Sequence, residues 1–113
     1  MKIKSVYIAS PYTLGDTAIN VKVQIDTAAE LRTKGFFPFW PLCSFFEHLI
    51  HPKPYDIWMN ADLYWLAKCD CVLRLPGESS GADKEIEHAK RLNIPVYYSL
   101  DELLKKFNIH KKA

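Results

Sequence analysis

The sequence is short of the features that would assign it at once. Its 15 lysines and arginines stand against 13 acidic residues, a formal net charge of +2. The basic residues are scattered except at the ends, so no groove for nucleic acid can be read from them. No apolar run approaches the roughly 18–20 residues needed to cross a bilayer, which argues against a membrane partner. Met1 leads directly into the charged, strand-like stretch KIKSVYIA, with no secretory signal pattern, and a cytoplasmic protein is expected. Cysteine is scarce. Cys43, Cys69 and Cys71 are an odd number in apolar contexts and read as reduced, structural thiols. Cys69-Asp70-Cys71 lacks the second Cys/His pair that a zinc site requires, and neither a metal nor a cofactor is expected. The dinucleotide fingerprint GxGxxG and the P-loop GxxxxGKS/T are both absent, so those readings lose support.

What is present is a chain of 113 residues, 49% hydrophobic and 13% aromatic, enough for one domain over residues 1–113 with a packed core. Residues 3–9 form a β-branched run that ends in the turn-rich loop 10–16. From 17 to 34, Val21, Ile25, Ala28 and Ala29 recur at helical spacing, and Gly35 stands where a C-cap belongs. Residues 36–40 read as a short aromatic strand kept near an edge by Pro38 and Pro41. A helical turn or two over 44–50 is broken by His51-Pro52-Lys53-Pro54. Helix over 55–68, buried strand over 70–75, helix over 80–92, strand over 95–98 and a closing helix over 100–107 complete the pattern.

Strands alternating with helices imply right-handed β-α-β crossovers. The fold class is therefore α/β: three layers around a small parallel sheet of four to five strands, flavodoxin-like or Rossmann-like. In such sheets ligands sit beyond the carboxyl ends of the strands, at the switch in strand order. The loops 10–16, 40–44 and 76–81 should meet there.

Two carboxylates stand in unexpected places. On the 80–92 helix, Ala82, Ile86 and Ala89 share the face toward the sheet, while Lys84 and Glu87 point away. Glu85 lies on the flank of the apolar stripe, in the second turn, near enough to the loop to overlook the cleft. A boundary glutamate that complements the helix dipole would also fit. On the 55–68 helix, Trp58, Ala61, Trp65 and Leu66 form the stripe, and Asp62 lies inside it. A buried aspartate is costly unless it is paired, hydrogen-bonded or facing a wet pocket. Acceptance of backbone N–H bonds from a nearby loop would satisfy it equally well. Two carboxylates biased toward one cleft are nonetheless the raw material of glycosyl chemistry. Ser79 or Ser80 can cap the helix, and Gly81 would let a ligand approach free backbone N–H groups.

Three stretches carry a family resemblance. They are Val6-Tyr7-Ile8-Ala9-Ser10-Pro11-Tyr12; Asp62-Leu63-Tyr64-Trp65-Leu66 with Cys69-Asp70-Cys71-Val72; and Ser79-x-Gly81-x-x-x-Glu85 with Ala89 and Ile94-Pro95-Val96. In this order they resemble the nucleoside 2′-deoxyribosyltransferase-like superfamily, which includes the 2′-deoxynucleoside monophosphate N-glycosidases and small phage or bacterial relatives. The resemblance implies N-glycosidic cleavage or 2-deoxyribosyl transfer on a nucleoside or nucleoside monophosphate. Glu85 would attack C1′, Tyr7 would orient Glu85, and Asp62 would hold a sugar hydroxyl or help the leaving base. Ser10, Pro11, Tyr12, Ser79 and Gly81 would hold the 5′ end. Glu78 would fill the place of a further acid that the transferases carry before the glycine loop. The monophosphate glycosidases have an arginine and glycines in the first loop, where this chain has Pro11, Tyr12 and Thr13.

Two other readings compete. One is a non-catalytic nucleotide-binding module of the same fold. The other is a metal hydrolase built from Glu47, His48, His51 and Asp56, with Pro52 ending any helix there. Trp40, Phe45, Phe46, Trp58, Tyr64 and Trp65 are more aromatic surface than a small sheet needs, so a homo-oligomer is expected.

Overall fold

The computed structural model describes residues 4–107. Four strands, β1 (Ser5–Ala9), β2 (Phe37–Phe39), β3 (Cys71–Arg74) and β4 (Val96–Tyr97), form one sheet in the order β2-β1-β3-β4. All pairings are parallel, with Tyr7 opposite Phe39 on one side and Val72 on the other. Helix α1 (Thr17–Thr33) joins β1 to β2. A 3-10 turn (Pro41–Ser44), α2 (Phe45–Ile50) and α3 (Tyr55–Leu66) lead to β3. Helix α4 (Ser80–Arg91) leads to β4, and α5 (Leu100–Lys106) follows. The alternation of strand and helix read from the sequence thus yields an α/β fold of the flavodoxin-like strand order, with four strands among the described residues.

The strand period of two divides β1 between two cores. Val6 and Ile8 face α1 and α5, packing with Ala28, Leu31, Phe36, Leu73, Leu103 and Leu104. Tyr7 and Ala9 face α3 and α4, packing with Leu66, Val72, Ala82, Ile86 and Ala89. These are the three layers. The ends of the helices follow from local chemistry. Asp16 accepts from Ile19 N–H to start α1, and Ser79 accepts from Ala82 N–H to start α4. After α1, Gly35 adopts φ 94°. Gly35 N–H and Phe36 N–H bond back to Arg32 and Leu31 carbonyls, the paired closure that turns the chain into β2.

Two stripes differ from expectation. In α1 the buried positions are Gln24, Ala28 and Leu31, while Ile25 and Ala29 face solvent. The spacing i, i+4, i+7 holds, but a glutamine occupies its first position, so an apolar pattern cannot reveal it. In α3 Leu66 is buried, whereas Trp65 is half exposed and stacks on Phe39 at 5.9 Å. β2 has only three residues and covers too little of α3 to bury the indole.

Candidate active site

The switch in strand order falls between β1 and β3, and a cavity of about 400 Å³ opens beyond the carboxyl ends of the strands there. The three loops expected to meet do so: Ser10, Tyr12, Thr13 and Leu14 line it from the first, Pro41, Leu42 and Ser44 from the second, and Glu78, Ser79, Ser80 and Gly81 from the third. Helices α3 and α4 add Asp62 and Glu85. At the mouth stand the aromatic side chains Phe45, Tyr55 and Trp58, with His48, Lys53 and Met59.

Glu85 is 5% exposed, on the boundary between the α4 core face and the cavity. Tyr7, fully buried in β1, donates its hydroxyl to Glu85 Oε2 at 2.7 Å. Burial, with a smaller push from the Asp62 charge, raises the Glu85 carboxyl to about 8 against the opposing Tyr7 hydrogen bond and Arg74 guanidinium. Burial likewise pushes Asp62 up to about 7. Tyr7 is held well above the ordinary phenol range by burial and by Glu85. The arrangement is two carboxyl groups lining one cavity, both displaced toward neutrality by burial, one of them holding a phenol hydroxyl.

The other expected residues divide. Ser10, Tyr12, Glu78, Ser79 and Gly81 line the cavity; Tyr7 and Pro11 do not. Tyr7 stands behind Glu85. Pro11 is instead a buttress: a Cβ on Gly77, which has φ +117°, would lie 2.7 Å from Pro11 Cγ, so the first and third loops abut through this pair. Gly81 lines the cavity and is also closely packed. The side on which a Cβ would stand is occupied by Tyr55 Oη at 3.3 Å and Met59 Cε at 3.4 Å. Its lack of a side chain therefore serves the approach of α3 to α4.

Arg74, Lys53 and Gln24 escaped the sequence reading, and His48 entered it only as a candidate metal ligand. Arg74, at the end of β3, donates to the carbonyls of Leu75 and Gly77 and pairs with Asp83 at 3.2 Å, bracing the third loop. His48 Nδ1 accepts from Trp58 Nε1–H at 2.7 Å, which leaves Nε2–H of the neutral ring as the donor. Lys53 Nζ lies 5.4 Å from the centre of the Trp58 ring and 3.3 Å from Glu47. Gln24 is fully buried yet reaches the cavity wall. Its place inside a helical stripe is the same signal that singled out Asp62. Among the described residues no three His, Cys, Asp or Glu side chains group as metal ligands would. No helix among them is long and apolar enough to cross a membrane.

Residues 4–99 match a protein family described as Domain of unknown function (DUF7768). The chain belongs to this family. No curated protein matches the sequence. Among solved structures, the DUF7768 chain is similar to a 2-deoxyribosyltransferase from the psychrotolerant bacterium Bacillus psychrosaccharolyticus, described as a biocatalyst for the synthesis of antiviral and antitumoral nucleosides. The TM-score is 0.61 at 19% identity, over 94% of this chain and 82% of that one. The likeness shows that the two chains share a fold.

Proposed function

We propose that this DUF7768 protein cleaves or transfers across the N-glycosidic bond of a 2′-deoxynucleoside, with Glu85 as nucleophile. The observation that carries the reading is the buried Glu85 carboxyl at the cavity wall, held by the Tyr7 hydroxyl at 2.7 Å. Ionised Glu85 would attack C1′ as the C1′–N bond breaks. The electron pair leaves with the base, and the one proton that the carboxyl pair keeps near neutrality, carried by Asp62 in the form that reacts, would pass to the departing nitrogen. Water, or an N–H nitrogen of a second base, would then attack C1′, giving its proton to the Asp62 carboxylate and releasing the Glu85 carboxylate. Phe45 and Trp58 in the lining supply aromatic surface for the base.

The lining favours a nucleoside over a monophosphate. Asp62, Glu78 and Glu85 face one lysine, Lys53, the Ser79 hydroxyl already caps α4, and Tyr55 and Met59 fill the side of Gly81. A second reading, a nucleotide-binding module, draws support from one observation: a Glu85 carboxyl pushed up to about 8 is largely protonated in the unliganded site at neutral pH.

Release of free base from a panel of deoxynucleosides and their monophosphates separates the two. The proposal expects Glu85→Gln to lose several orders of magnitude in rate while keeping its fold and most of its affinity, beyond the 10²–10⁴-fold typical of a general acid or base. Glu87→Gln, exposed two residues on, should be nearly silent. Cleavage by Glu85→Gln at the wild-type rate would refute the nucleophile, and binding without cleavage by the wild type would favour the module.

A further inference from the structure

We propose that Gln24 is a positioning residue of this site, and that it holds the Ser10 hydroxyl as a hydrogen-bond donor toward an acceptor atom of the ligand. The inference rests on the cavity being a nucleoside site, and its argument begins with backbone groups whose polarity is fixed. Gln24 is fully buried in α1. Leu42 N–H donates to Gln24 Oε1 at 2.9 Å, and Gln24 Nε2 faces the Ile8 carbonyl at 3.5 Å. A peptide N–H can only donate and a carbonyl can only accept, so the two groups together dictate which end of the amide is oxygen and which is nitrogen. The nitrogen end is the one that reaches Ser10, donating to Oγ at 2.7 Å.

The consequence falls on Ser10. A hydroxyl has one proton and two lone pairs. With one lone pair engaged by Gln24, Ser10 keeps its proton and one lone pair, and the proton is free to be given to an acceptor in the cavity it lines. Ser79, across the cavity, is in the same condition, because its oxygen accepts from Ala82 N–H at 3.0 Å. The wall therefore sets two hydroxyl donors against the two carboxyls of Asp62 and Glu85. That division suits a ligand carrying both oxygen acceptors and hydroxyl donors, as a sugar ring does. Gln24 also ties the first loop, through Ser10, to the second, through Leu42, and so fixes the distance between two of the three loops that build the cavity.

The test is a double-mutant cycle read by calorimetric titration with 2′-deoxyadenosine and with thymidine. Gln24→Glu keeps the size and the bond from Leu42 N–H, but turns the end facing Ser10 from donor to acceptor. We expect Gln24→Glu and Ser10→Ala each to weaken binding about tenfold, and the double variant to bind no more weakly than Ser10→Ala. Ser10→Thr, which keeps the hydroxyl, should restore most of the affinity lost by Ser10→Ala. Losses that multiply in the double variant, or a Ser10→Ala variant that binds as the wild type does, would overturn the proposal. Should Gln24→Glu not fold, Ser10→Ala and Ser10→Thr still carry the binding measurement. A ligand-free measurement accompanies it: the Gln24 side-chain amide signal in an ¹⁵N NMR spectrum should shift in Ser10→Ala while the Leu42 amide stays protected. An unmoved Gln24 signal refutes the pairing. Failure of both nucleosides to bind the wild type contradicts the nucleoside reading, and the Gln24 assignment is then decided by the amide signal alone.

Discussion

A glutamate 5% exposed and bonded to a buried phenol is an expensive thing to place beside an apolar core, and its cost is legible in pH. Glu85 and Asp62 titrate at about 8 and about 7, both displaced upward by burial. Between the ordinary carboxyl range and these values the folded protein holds protons that the unfolded chain has released. Stability therefore falls as pH rises through that window. Glu85→Gln, which cannot ionise, should flatten the fall and be the more stable protein above pH 8, by on the order of a few kcal/mol, as urea melts at pH 6 and pH 9 would measure. The same pair predicts a bell-shaped kcat/KM for base release. Below about 7 both carboxyls are protonated and no nucleophile is present; above about 8 both are ionised and no acid remains. Between them the pair shares one proton, mostly on Glu85, and base release draws on the minor form that carries it on Asp62. Tyr7→Phe removes the donor that favours ionised Glu85 and leaves the core volume nearly unchanged. It should move the alkaline limb of that profile to higher pH, lower its maximum, and cost about 1–3 kcal/mol of stability for the stranded carboxyl.

At the scale of elements, the cavity depends on loops braced by specific contacts. Gly77, at φ +117° with Pro11 against it, joins the third loop to the first, and Arg74 ties the same loop to β3 and to Asp83 on α4. Gly77→Ala places a methyl both in an unfavourable backbone region and against a ring. It should lower stability by about 1–3 kcal/mol and weaken nucleoside binding together, read by thermal melts with and without ligand. How far this was legible in the sequence depends on the kind of signal. The elements were readable because strands such as β1 and the Ser79 cap are local. Glu85 and Asp62 stood out because a charge in or beside an apolar stripe is visible as a violation of period. Gln24 broke the α1 stripe in the same way, but the apolar residues Ile25 and Ala29 beside it offered a false alternative. Pro11 against Gly77 and Tyr55 against Gly81 join residues far apart in the chain, and no spacing announces them.

At the scale of the whole molecule, α2 buries none of its six residues and presents Phe46, Leu49 and Ile50 to solvent, with Tyr64 and Trp65 of α3 also exposed. So much apolar surface beside the cavity mouth favours a homo-oligomer. Light scattering at micromolar concentration should give a dimer or larger mass, and Phe46→Glu should shift it toward monomer without unfolding the chain; a monomeric wild type would contradict this. The fold itself, an α/β sandwich on a small parallel sheet, is the level at which sequence and structure agree most fully, since alternation of strand and helix leaves few topologies open. The chemistry assigned to that fold rests on one bond. The most direct measurement is the intact mass of the protein quenched in acid during turnover of a deoxynucleoside. The account predicts a fraction heavier by one deoxyribosyl group, located by peptide mapping to Glu85 in the Ser80–Arg91 segment and missing from Glu85→Gln. Free base released with no such adduct at any quench time, or an adduct that persists in Glu85→Gln, would contradict it.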